Sequence, residues 1–307
     1  MKCTINRRSQ FSASHRYWLP ELSEQENRQR FGKCTRKPGH GHNYVLNVSM
    51  TRELDPHGMV LNLAEAKDII HREVIEPLDF SYLNEAWPEF AQTLPTTEHI
   101  AQVIWRRLSS HLPITTIQLF ETPELWADYT GQGMNAYLTV SAHFSAAHRL
   151  AIPALSYEEN FEIYGKCARP HGHGHNYQLE VTVTGEVDAR TGMLVDLVAL
   201  QDAIACHVIE PLDHTFLNKD VPYFMSTVPT VENIVIRIAG LLKGPIGEIG
   251  ATLHKVKLIE SLNNSAEVLA SDLPEHDVLS SDAETDAETA AVIPVQSSAQ
   301  APFLAVV

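Results

Sequence analysis

Hydrophobic and polar positions alternate in two separate stretches of the chain. In residues 46–50, Leu, Val and Met alternate with Asn and Ser; in residues 179–183, Leu and two Val alternate with Glu and Thr. An apolar–polar alternation with a period of two predicts a strand with one buried face. A turn containing Gly58 follows the first stretch, and a turn containing Gly192 follows the second. We therefore expect the same series of elements to occur twice.

Helical patterns follow both turns at matching places. Asn62 and Asp196 are suitable N-cap residues, and Asn62 has Glu65 three residues later, which is the spacing of a capping box. A second helix with one apolar stripe is expected in each half after a proline. The expected helices cover about 63–75 and 197–209 and begin again near Thr96 and Thr230; late strands are expected at about 115–121 and 252–260.

Each half therefore has the predicted order β-β-α-α-β-β. Strands that occur in neighbouring pairs, with the helices grouped between them, favour an α+β fold with an antiparallel sheet and helices on one face. We expect two such domains in tandem, residues 1–132 and residues 133–270. Residues 271–307 are expected to form an acidic low-complexity tail, for which the composition predicts disorder.

Composition narrows the possible classes of function. The 307 residues carry a formal net charge of −15, and no Lys or Arg follows Lys257. This balance argues against the basic surface of a nucleic-acid-binding protein. No apolar stretch reaches the length of a membrane span, and the N-terminus lacks a signal-peptide pattern, so we expect a cytoplasmic protein. Its four cysteines are expected to be reduced.

Short motifs that contain metal-ligand and nucleophile residue types recur in the two halves. Phe-Ser-Ala-Ser-His at 11–15 returns as Phe-Ser-Ala-Ala-His at 144–148, Gly-Lys-Cys at 32–34 returns at 165–167, and His-Gly-His-Asn-Tyr at 40–44 returns at 173–177. A single His-x-His is most often a surface loop, and a single histidine is most often structural. Recurrence of the whole set in register favours a ligand site instead.

Three histidines in each half fit an open metal site. His40 and His42 are two apart on a strand and share a face, and His15 ends an earlier strand. Three imidazoles without a fourth protein ligand are typical of catalytic zinc, whose last position takes water or substrate. The second set is His148, His173 and His175. We therefore expect one Zn²⁺ in each repeat.

Cys34 and Cys167 precede the paired histidines at the same spacing in both halves. A thiol near a divalent cation and basic neighbours has a lowered pKa, and its thiolate can act as a base or a nucleophile. A fourth zinc ligand and an inert buried thiol are the alternatives. Cys3 has no counterpart and Cys206 lies in a helical pattern, so both are expected to be packing residues.

Asp79 and Asp213 occupy matching positions, but the next residue is Phe80 in the first half and His214 in the second. An Asp beside a His suits a proton relay, in which the carboxylate orients and stabilises the imidazolium. Adjacency along the chain is weak support by itself, because neighbouring side chains often point apart.

Glu121 and Glu260 end the late strands of the two halves. A carboxylate at such a position suits pairing with the N–H donors of a heterocycle. A solvated strand end is the alternative.

The combined motifs resemble those of the 6-pyruvoyl-tetrahydropterin synthase family, which includes the 6-carboxytetrahydropterin synthases of queuosine biosynthesis. The matching segments are Phe-Ser-Ala-x-His, Gly-Lys-Cys before His-Gly-His-Asn-Tyr, Gly-Met-x-x-Asp-Leu, Pro-Leu-Asp-His, Pro-Thr-x-Glu-Asn-Ile and the late Glu. The resemblance covers about residues 3–130 and 137–270. It implies a tunnelling fold, in which several subunits join their sheets into a barrel with helices outside.

The resemblance also implies a reaction and roles for the residues. It implies a zinc-dependent carbon–oxygen lyase that converts 7,8-dihydroneopterin triphosphate into a 6-pyruvoyl- or 6-carboxy-tetrahydropterin, with loss of triphosphate and no redox cofactor. In the second repeat, the resemblance implies that His148, His173 and His175 bind zinc. It implies that Cys167 removes protons with Asp213 and His214 as its relay, and that Glu260 binds the pterin with Thr230 and Glu232 nearby. The matching residues of the first repeat are His15, His40, His42, Cys34, Asp79 and Glu121.

The first repeat departs from this pattern at Phe80, which replaces the relay histidine, and at Asn62, which replaces an Asp. A phenylalanine cannot transfer a proton. We therefore expect the first repeat to keep zinc but to be catalytically weakened, unless His214 of a second repeat completes its site. The alternatives are a non-catalytic zinc- or pterin-binding assembly protein and another tunnelling-fold enzyme, such as a dihydroneopterin aldolase or a GTP cyclohydrolase.

The resemblance implies a homo-oligomer as well. Three chains would supply six domains, which is the number expected if the family's hexamers are six single domains. Separate rings of first and second repeats, and rings that contain both, are equally consistent with the sequence.

Overall fold

A ten-stranded sheet runs through both repeats in the computed structural model, which describes residues 1–274. The strands are β1 Lys2–His15, β2 His40–Glu53, β3 Ser81–Tyr82, β4 Ile114–Thr122, β5 Leu125–Tyr129, β6 Asn135–His148, β7 His173–Glu186, β8 Thr215–Phe216, β9 Thr252–Ser261 and β10 Asn264–Leu269. Their order is β10-β9-β7-β6-β5-β4-β2-β1-β3, with β8 beside β6. The long neighbouring strands are antiparallel. The predicted α+β class is confirmed.

The helices repeat as the strands do. They are α1 Glu24–Phe31, α2 Leu63–Ile70, α3 Glu76–Leu78, α4 Leu83–Ala86, α5 Thr97–Leu108, α6 Tyr157–Tyr164, α7 Leu197–Ile204, α8 Glu210–Leu212, α9 Leu217–Asp220, α10 Pro222–Ser226 and α11 Val231–Glu248. Residues His71–Ile75 and Ala205–Ile209 continue α2 and α7 as π-helical turns, so each helix covers the predicted span. Short 3₁₀ turns occur at Gly32–Thr35, Pro88–Ala91, Gly165–Ala168 and Ala270–Asp272.

The core lies between one face of the sheet and helices α5 and α11. Ile100, Val103, Ile104 and Leu108 of α5 are fully buried, and they are the stripe that the period of the pattern predicts. The alternating strand residues 46–50 and 179–183 place their apolar side chains on the same face. Helices therefore cover one side of the sheet in both repeats, and they hold the strand ends that carry the histidines.

The two repeats are neighbours within one sheet. Strand β5 of the first repeat pairs with β6 of the second, with Leu125 opposite Val140 and Asp128 opposite Tyr137. The N–H of Ser141 also donates to the carbonyl of Glu124 at 2.8 Å. The sheet of one chain therefore contains strands of both repeats, which favours rings that contain both repeats over separate rings of first and second repeats.

Some local predictions were wrong. The side chain of Asn62 accepts from Ala64 N and forms no capping box with Glu65. Capping boxes instead begin α1, at Ser23, and α6, at Ser156, which are short and polar helices without a clear apolar stripe. Cys3 and Cys206 are exposed rather than packed: Cys3 lies at the start of β1, where neither face of the strand is buried, and Cys206 lies on the π-helical turn Ala205–Ile209.

The predicted disorder of the acidic tail concerns residues beyond 270, and residues 275–307 lie outside the described part of the chain. Within residues 1–274, no helix is long and apolar enough to cross a membrane.

Candidate metal centres

Two groups of three histidines lie at matching strand ends, and in each group the ligand atoms are within 4.8 Å of one another. In the first repeat the ladder places His15, at the end of β1, directly opposite His40, at the start of β2. The period of two turns His42 to the same face as His40. Gly41 lies between them because a Cβ there would meet the carbonyl oxygen of Ala13 at 2.9 Å. The predicted first triad is thus brought together.

The second triad repeats this geometry. His148 of β6 lies opposite His173 of β7, and His175 follows on the same face. The Nε2 atoms of His148 and His173 are 3.1 Å apart, compared with 3.2 Å between those of His15 and His40. The two repeats therefore hold the same candidate centre twice.

Backbone carbonyls fix the orientation of the buried histidine in each triad. Nδ1 of His15 is 3.2 Å from the carbonyl oxygen of Pro95, and Nδ1 of His148 is 2.7 Å from that of Pro229. A carbonyl can only accept, so Nδ1 carries the proton and Nε2 presents a lone pair to the centre of the triad. This is the arrangement that a second-shell carbonyl gives to a metal-binding histidine.

The environment favours the neutral form of four of these imidazoles, and the neutral form is the one that binds a metal ion. Burial, and then the neighbouring His40, lowers the pKa of His15 to about 4. Burial also lowers the pKa of His42, His148 and His173. Among the described residues, Nε2 of His42 and Nε2 of His175 are buried without a hydrogen-bond partner. Several buried lone pairs that point together are costly unless a cation binds between them, so each triad fits a metal ion.

A glutamate lies beside each triad, at the end of a late strand. Oε1 of Glu121 is 3.4 Å from Nε2 of His42, and Oε2 of Glu121 accepts from the hydroxyl of Thr97 at 2.7 Å. Oε1 of Glu260 is 3.6 Å from Nε2 of His175. Because the pKa of His42 is lowered, its ring is neutral, and its contact with the carboxylate of Glu121 is not an ion pair. Glu121 and Glu260 are thus not solvated strand ends.

Cys34 lies next to the first triad, with Sγ 3.9 Å from Nε2 of His40. Burial, and then the carboxylate of Glu121, raises the pKa of Cys34 to about 11. In the protein without a bound cation, the thiol of Cys34 is therefore protonated. The lowered pKa that the sequence predicts would arise only with a cation bound beside the thiol. The ligand atoms that lie within 4.8 Å of one another at each centre come from histidines.

The Asp–His pair of the second repeat is formed as predicted. Nδ1 of His214 is 2.8 Å from Oδ2 of Asp213, and Oδ1 of Asp213 accepts from the N–H of Ser145 at 2.7 Å. Partial burial raises the pKa of Asp213, but the hydrogen bonds from Ser145 and His214 outweigh it, and the pKa is lowered. His214 and His175 are both among the residues that line one open cleft.

The first repeat keeps this backbone but not its chemistry. Phe80 and His214 have positive φ angles of 53° and 57°, and each N–H donates to a carbonyl of the adjacent strand at 2.6 Å. The left-handed conformation directs both side chains outwards, where they are 89 % and 83 % exposed. Asp79 accepts from the N–H of Ser12 as Asp213 does from Ser145. Only the relay group itself differs.

The structure adds Glu98, which the sequence reasoning missed. Glu98 is the first-repeat counterpart of Glu232, and the repeated Pro-Thr-x-Glu at 95–98 and 229–232 was the signal that could have identified it. Its side chain is 4 % exposed and accepts from the N–H of Leu194, in the second repeat, at 3.0 Å. Glu232 is exposed, and the hydroxyl of Thr230 caps helix α11.

Glu98 should make stability depend on pH. Burial raises the pKa of Glu98 from 4.5 to about 7, although the hydrogen bond from Leu194 opposes this. The folded state then holds the proton more tightly than the unfolded chain, so this group lowers stability as pH rises from about 4.5 to about 7. Between pH 4.5 and pH 8, the free energy of unfolding of Glu98→Gln should rise by about 3 kcal/mol relative to that of the wild type. Urea unfolding of metal-free protein measures it.

Glu65→Gln is the matched control for this prediction, because Glu65 is an exposed carboxylate on α2. This variant makes the same change at an exposed position, so it shows what the substitution alone does to the free energy of unfolding. If the effect of Glu98→Gln does not change between pH 4.5 and pH 8, the carboxyl of Glu98 has the same proton affinity in the folded and unfolded states, which would contradict the prediction.

Comparison with known proteins identifies the family. A family model described as 6-pyruvoyl tetrahydropterin synthase matches the chain twice, over residues 4–132 and over residues 137–271. The chain belongs to this family. Each match contains one complete histidine triad, so the 6-pyruvoyl tetrahydropterin synthase unit is present in tandem.

Individual relatives match the length of one repeat. The human 6-pyruvoyl tetrahydrobiopterin synthase is 43% identical over 136 residues, which is 44% of this chain and 91% of that protein. A putative 6-carboxy-5,6,7,8-tetrahydropterin synthase of Archaeoglobus fulgidus is 33% identical over 129 residues, 42% of this chain and 91% of that protein. The solved 6-pyruvoyl tetrahydropterin synthase of Caenorhabditis elegans is 38% identical, covers 45% of this chain and 97% of its own, and has a TM-score of 0.43.

Proposed function

We propose that the chain is a zinc-dependent carbon–oxygen lyase that converts 7,8-dihydroneopterin triphosphate into a 6-substituted tetrahydropterin with loss of triphosphate. The observation that carries the proposal is the pair of histidine triads whose buried Nε2 atoms converge, in a chain that belongs to the 6-pyruvoyl tetrahydropterin synthase family. His148, His173 and His175 would hold zinc in the second repeat, and His15, His40 and His42 in the first. We include a cytoplasmic location in the proposal, since thiols stay reduced there.

The second repeat contains the complete set of groups. Zinc, when bound, polarises the side-chain oxygens of the substrate as a Lewis acid. Cys167 removes a proton from the substrate side chain, and the Asp213–His214 pair relays protons, with Asp213 holding the imidazole through the 2.8 Å contact. Glu260 binds the pterin ring with Thr230 and Glu232 nearby. Proton shifts and departure of triphosphate balance the reaction without an external oxidant.

The relatives favour the pyruvoyl product. Named pyruvoyl synthases reach 44% identity to this chain over 136 residues, whereas the putative carboxy synthase reaches 33% over 129. We therefore propose 6-pyruvoyl-tetrahydropterin as the product. The carboxy product, which belongs to queuosine biosynthesis, is the runner-up within the same chemistry.

The product assay decides among these proposals. Zinc-loaded protein is incubated with 7,8-dihydroneopterin triphosphate, and the products are identified by mass spectrometry. Detection of pyruvoyl-tetrahydropterin supports the proposal. Detection of carboxytetrahydropterin with released acetaldehyde would contradict the proposed product and would still support the proposed class of reaction. Absence of turnover by protein that binds zinc would contradict the lyase and favour a non-catalytic zinc- or pterin-binding assembly protein, for which the exposed Phe80 is the supporting observation.

A further inference from the structure

A cavity of about 340 Å³ lies where the two repeats meet. Helix α5 and the residues just before it contribute to its lining, together with Met134 and residues 187–189 of the second repeat. This volume is in the range of small-molecule sites. No histidine of either triad is among the residues that line the cavity, so it is separate from the two metal centres.

Gln102 of α5 lines the cavity with a side chain that is only 2% exposed. Its Nε2 donates to the carbonyl oxygen of Met134 at 2.9 Å, and the same carbonyl accepts from the N–H of Val187 at 3.0 Å. The reverse orientation of the amide would bring two carbonyl oxygens together, which fixes the position of Oε1. Within residues 1–274, Oε1 of Gln102 is buried without a hydrogen-bond partner. A buried acceptor without a donor is costly, so Gln102 is suited to accept from a ligand.

His99 adds a second acceptor one turn earlier on the same helix. Its Nδ1 is 3.0 Å from the carbonyl oxygen of Leu94, and a carbonyl can only accept, so Nδ1 carries the proton and Nε2 has a lone pair. Burial is the main cause that lowers the pKa of His99, and the ring is neutral. Nε2 forms no hydrogen bond with the described part of the chain. The buried Oε1 of Gln102 and Nε2 of His99 thus form a floor of two acceptors.

Three charged side chains form the rim of the cavity: Asp188, Glu89 and Arg106. Asp188 accepts hydrogen bonds from the N–H and the hydroxyl of Thr191, which lower its pKa, so it is a carboxylate. Glu89 accepts from the guanidinium of Arg107 at 3.0 Å. Arg106, in contrast, is exposed and has no ion pair within residues 1–274. The rim therefore offers two carboxylates and one unpaired guanidinium.

These groups exclude two common kinds of ligand. A phosphate needs hydrogen-bond donors, but the floor offers acceptors only. A metal ion needs several ligand atoms close together, and among the described residues the groups of three His, Cys, Asp or Glu side chains that could hold one are the two triads. A ligand that donates at the floor and presents a carboxylate to the rim fits instead, because a guanidinium pairs readily with a carboxylate.

The internal repeat shows that the fold does not require these side chains. The repeated Pro-Thr-x-Glu segments align α5 with α11. Three residues of α5 line the cavity, and their counterparts in α11 are Asn233, Ile236 and Gly240. Nδ2 of Asn233 donates to the carbonyl of Val228 at 2.9 Å, as Nδ1 of His99 does to that of Leu94. Both helices therefore have the contact that supports the fold, whereas the set of two acceptors and a guanidinium occurs in the first alone.

We propose that the cavity binds a free α-amino acid. Its ammonium group donates to Oε1 of Gln102 and to Nε2 of His99, and its carboxylate accepts from the guanidinium of Arg106. The carboxylates of Glu89 and Asp188 balance the charge of the ammonium group. Because both repeats line the cavity, the bound amino acid stabilises the contact between them. Neither triad takes part, so binding does not depend on the lyase chemistry proposed above.

Calorimetric titration of the zinc-loaded full chain with each of the standard L-amino acids tests the proposal. We expect at least one of them to bind with a Kd below about 1 mM and to raise the Tm. The corresponding amine, which lacks the carboxylate, and the corresponding acid, which lacks the amino group, should each bind at least about tenfold more weakly. If no amino acid binds with a Kd below about 1 mM, or if either analogue binds as tightly as the amino acid, the proposal is overturned.

Two variants test whether the amino acid binds in this cavity. His99→Asn removes the acceptor Nε2, and asparagine can keep the contact with the carbonyl of Leu94, as Asn233 does with that of Val228. It should weaken binding at least about tenfold. Arg106→Ala removes the guanidinium of the rim and should weaken binding about fivefold, because the ion pair is exposed.

Arg72→Ala is the matched control, because Arg72 is an exposed arginine of the same repeat that does not line the cavity. The Kd of this variant for the amino acid should equal that of the wild type. Zinc content and the Tm of the ligand-free protein show that each variant is folded. An unchanged Kd in folded His99→Asn or folded Arg106→Ala protein would show that the amino acid binds elsewhere and would overturn the proposal.

Discussion

Replacing His173 by Ala is expected to remove one of two zinc ions per chain and to lower turnover by at least about 100-fold. The substitution leaves two imidazoles at the second centre, and two ligands do not hold a catalytic zinc site. Several kcal/mol of transition-state stabilisation depend on the ion, which accounts for the size of the loss. Metal analysis of purified protein and a turnover assay measure the two quantities separately.

His40→Ala is the matched variant, because His40 holds the same position in the first triad. It should also remove one zinc ion, but it should keep more than about half of the turnover if the second repeat carries the reaction. If turnover were instead lost in His40→Ala and kept in His173→Ala, the first centre would be the one that carries the activity. Unchanged zinc content in either variant would contradict the triads as metal sites.

His214→Ala should lower turnover by about 10²–10⁴-fold while leaving the zinc content at wild-type level. In the proposed mechanism the side chain carries a proton and is held by Asp213, and it lies outside the set of histidines that could hold metal. It is 83% exposed, so its removal should cost little stability. Full activity in this variant would exclude the proposed relay.

Phe80→His provides the complementary gain of function. Phe80 already has the left-handed backbone and the hydrogen bond to the adjacent strand that His214 has, and Asp79 is in place beside it. The new imidazole should therefore adopt the same geometry and raise turnover of the His173→Ala protein. Phe80→Ala, which removes the ring without adding a base, should not.

The internal repeat explains why most of the site could be predicted from the sequence. Alternation placed His40 and His42 on one face of a strand, and the second copy separated them from incidental histidines. The structure brings both triads together and sets Glu121 and Glu260 beside them. These contacts depend on local periodicity and on the pairing of neighbouring strands, and both can be predicted from the sequence.

Other relations depend on contacts that no local pattern encodes. The hydrogen bond between Glu98 and Leu194 joins residues far apart in the chain, and it exists only because β5 and β6 bring the repeats side by side. The outward direction of His214 follows from a left-handed backbone, which residue type does not specify. Helices α1 and α6 were missed because each is only eight residues long, and the capping boxes that begin them, at Ser23 and Ser156, were not recognised in the sequence.

The short connection between β5 and β6 has a consequence for how the two halves diverge. Residues 130–134 tether one pair of repeats, which gives that contact an effective concentration in the millimolar range without any further adhesion. Helix α1 can therefore be largely charged at this junction, with Glu24 and Arg28 paired on its surface. The surface at this junction can therefore change in sequence without loss of the contact between the two repeats.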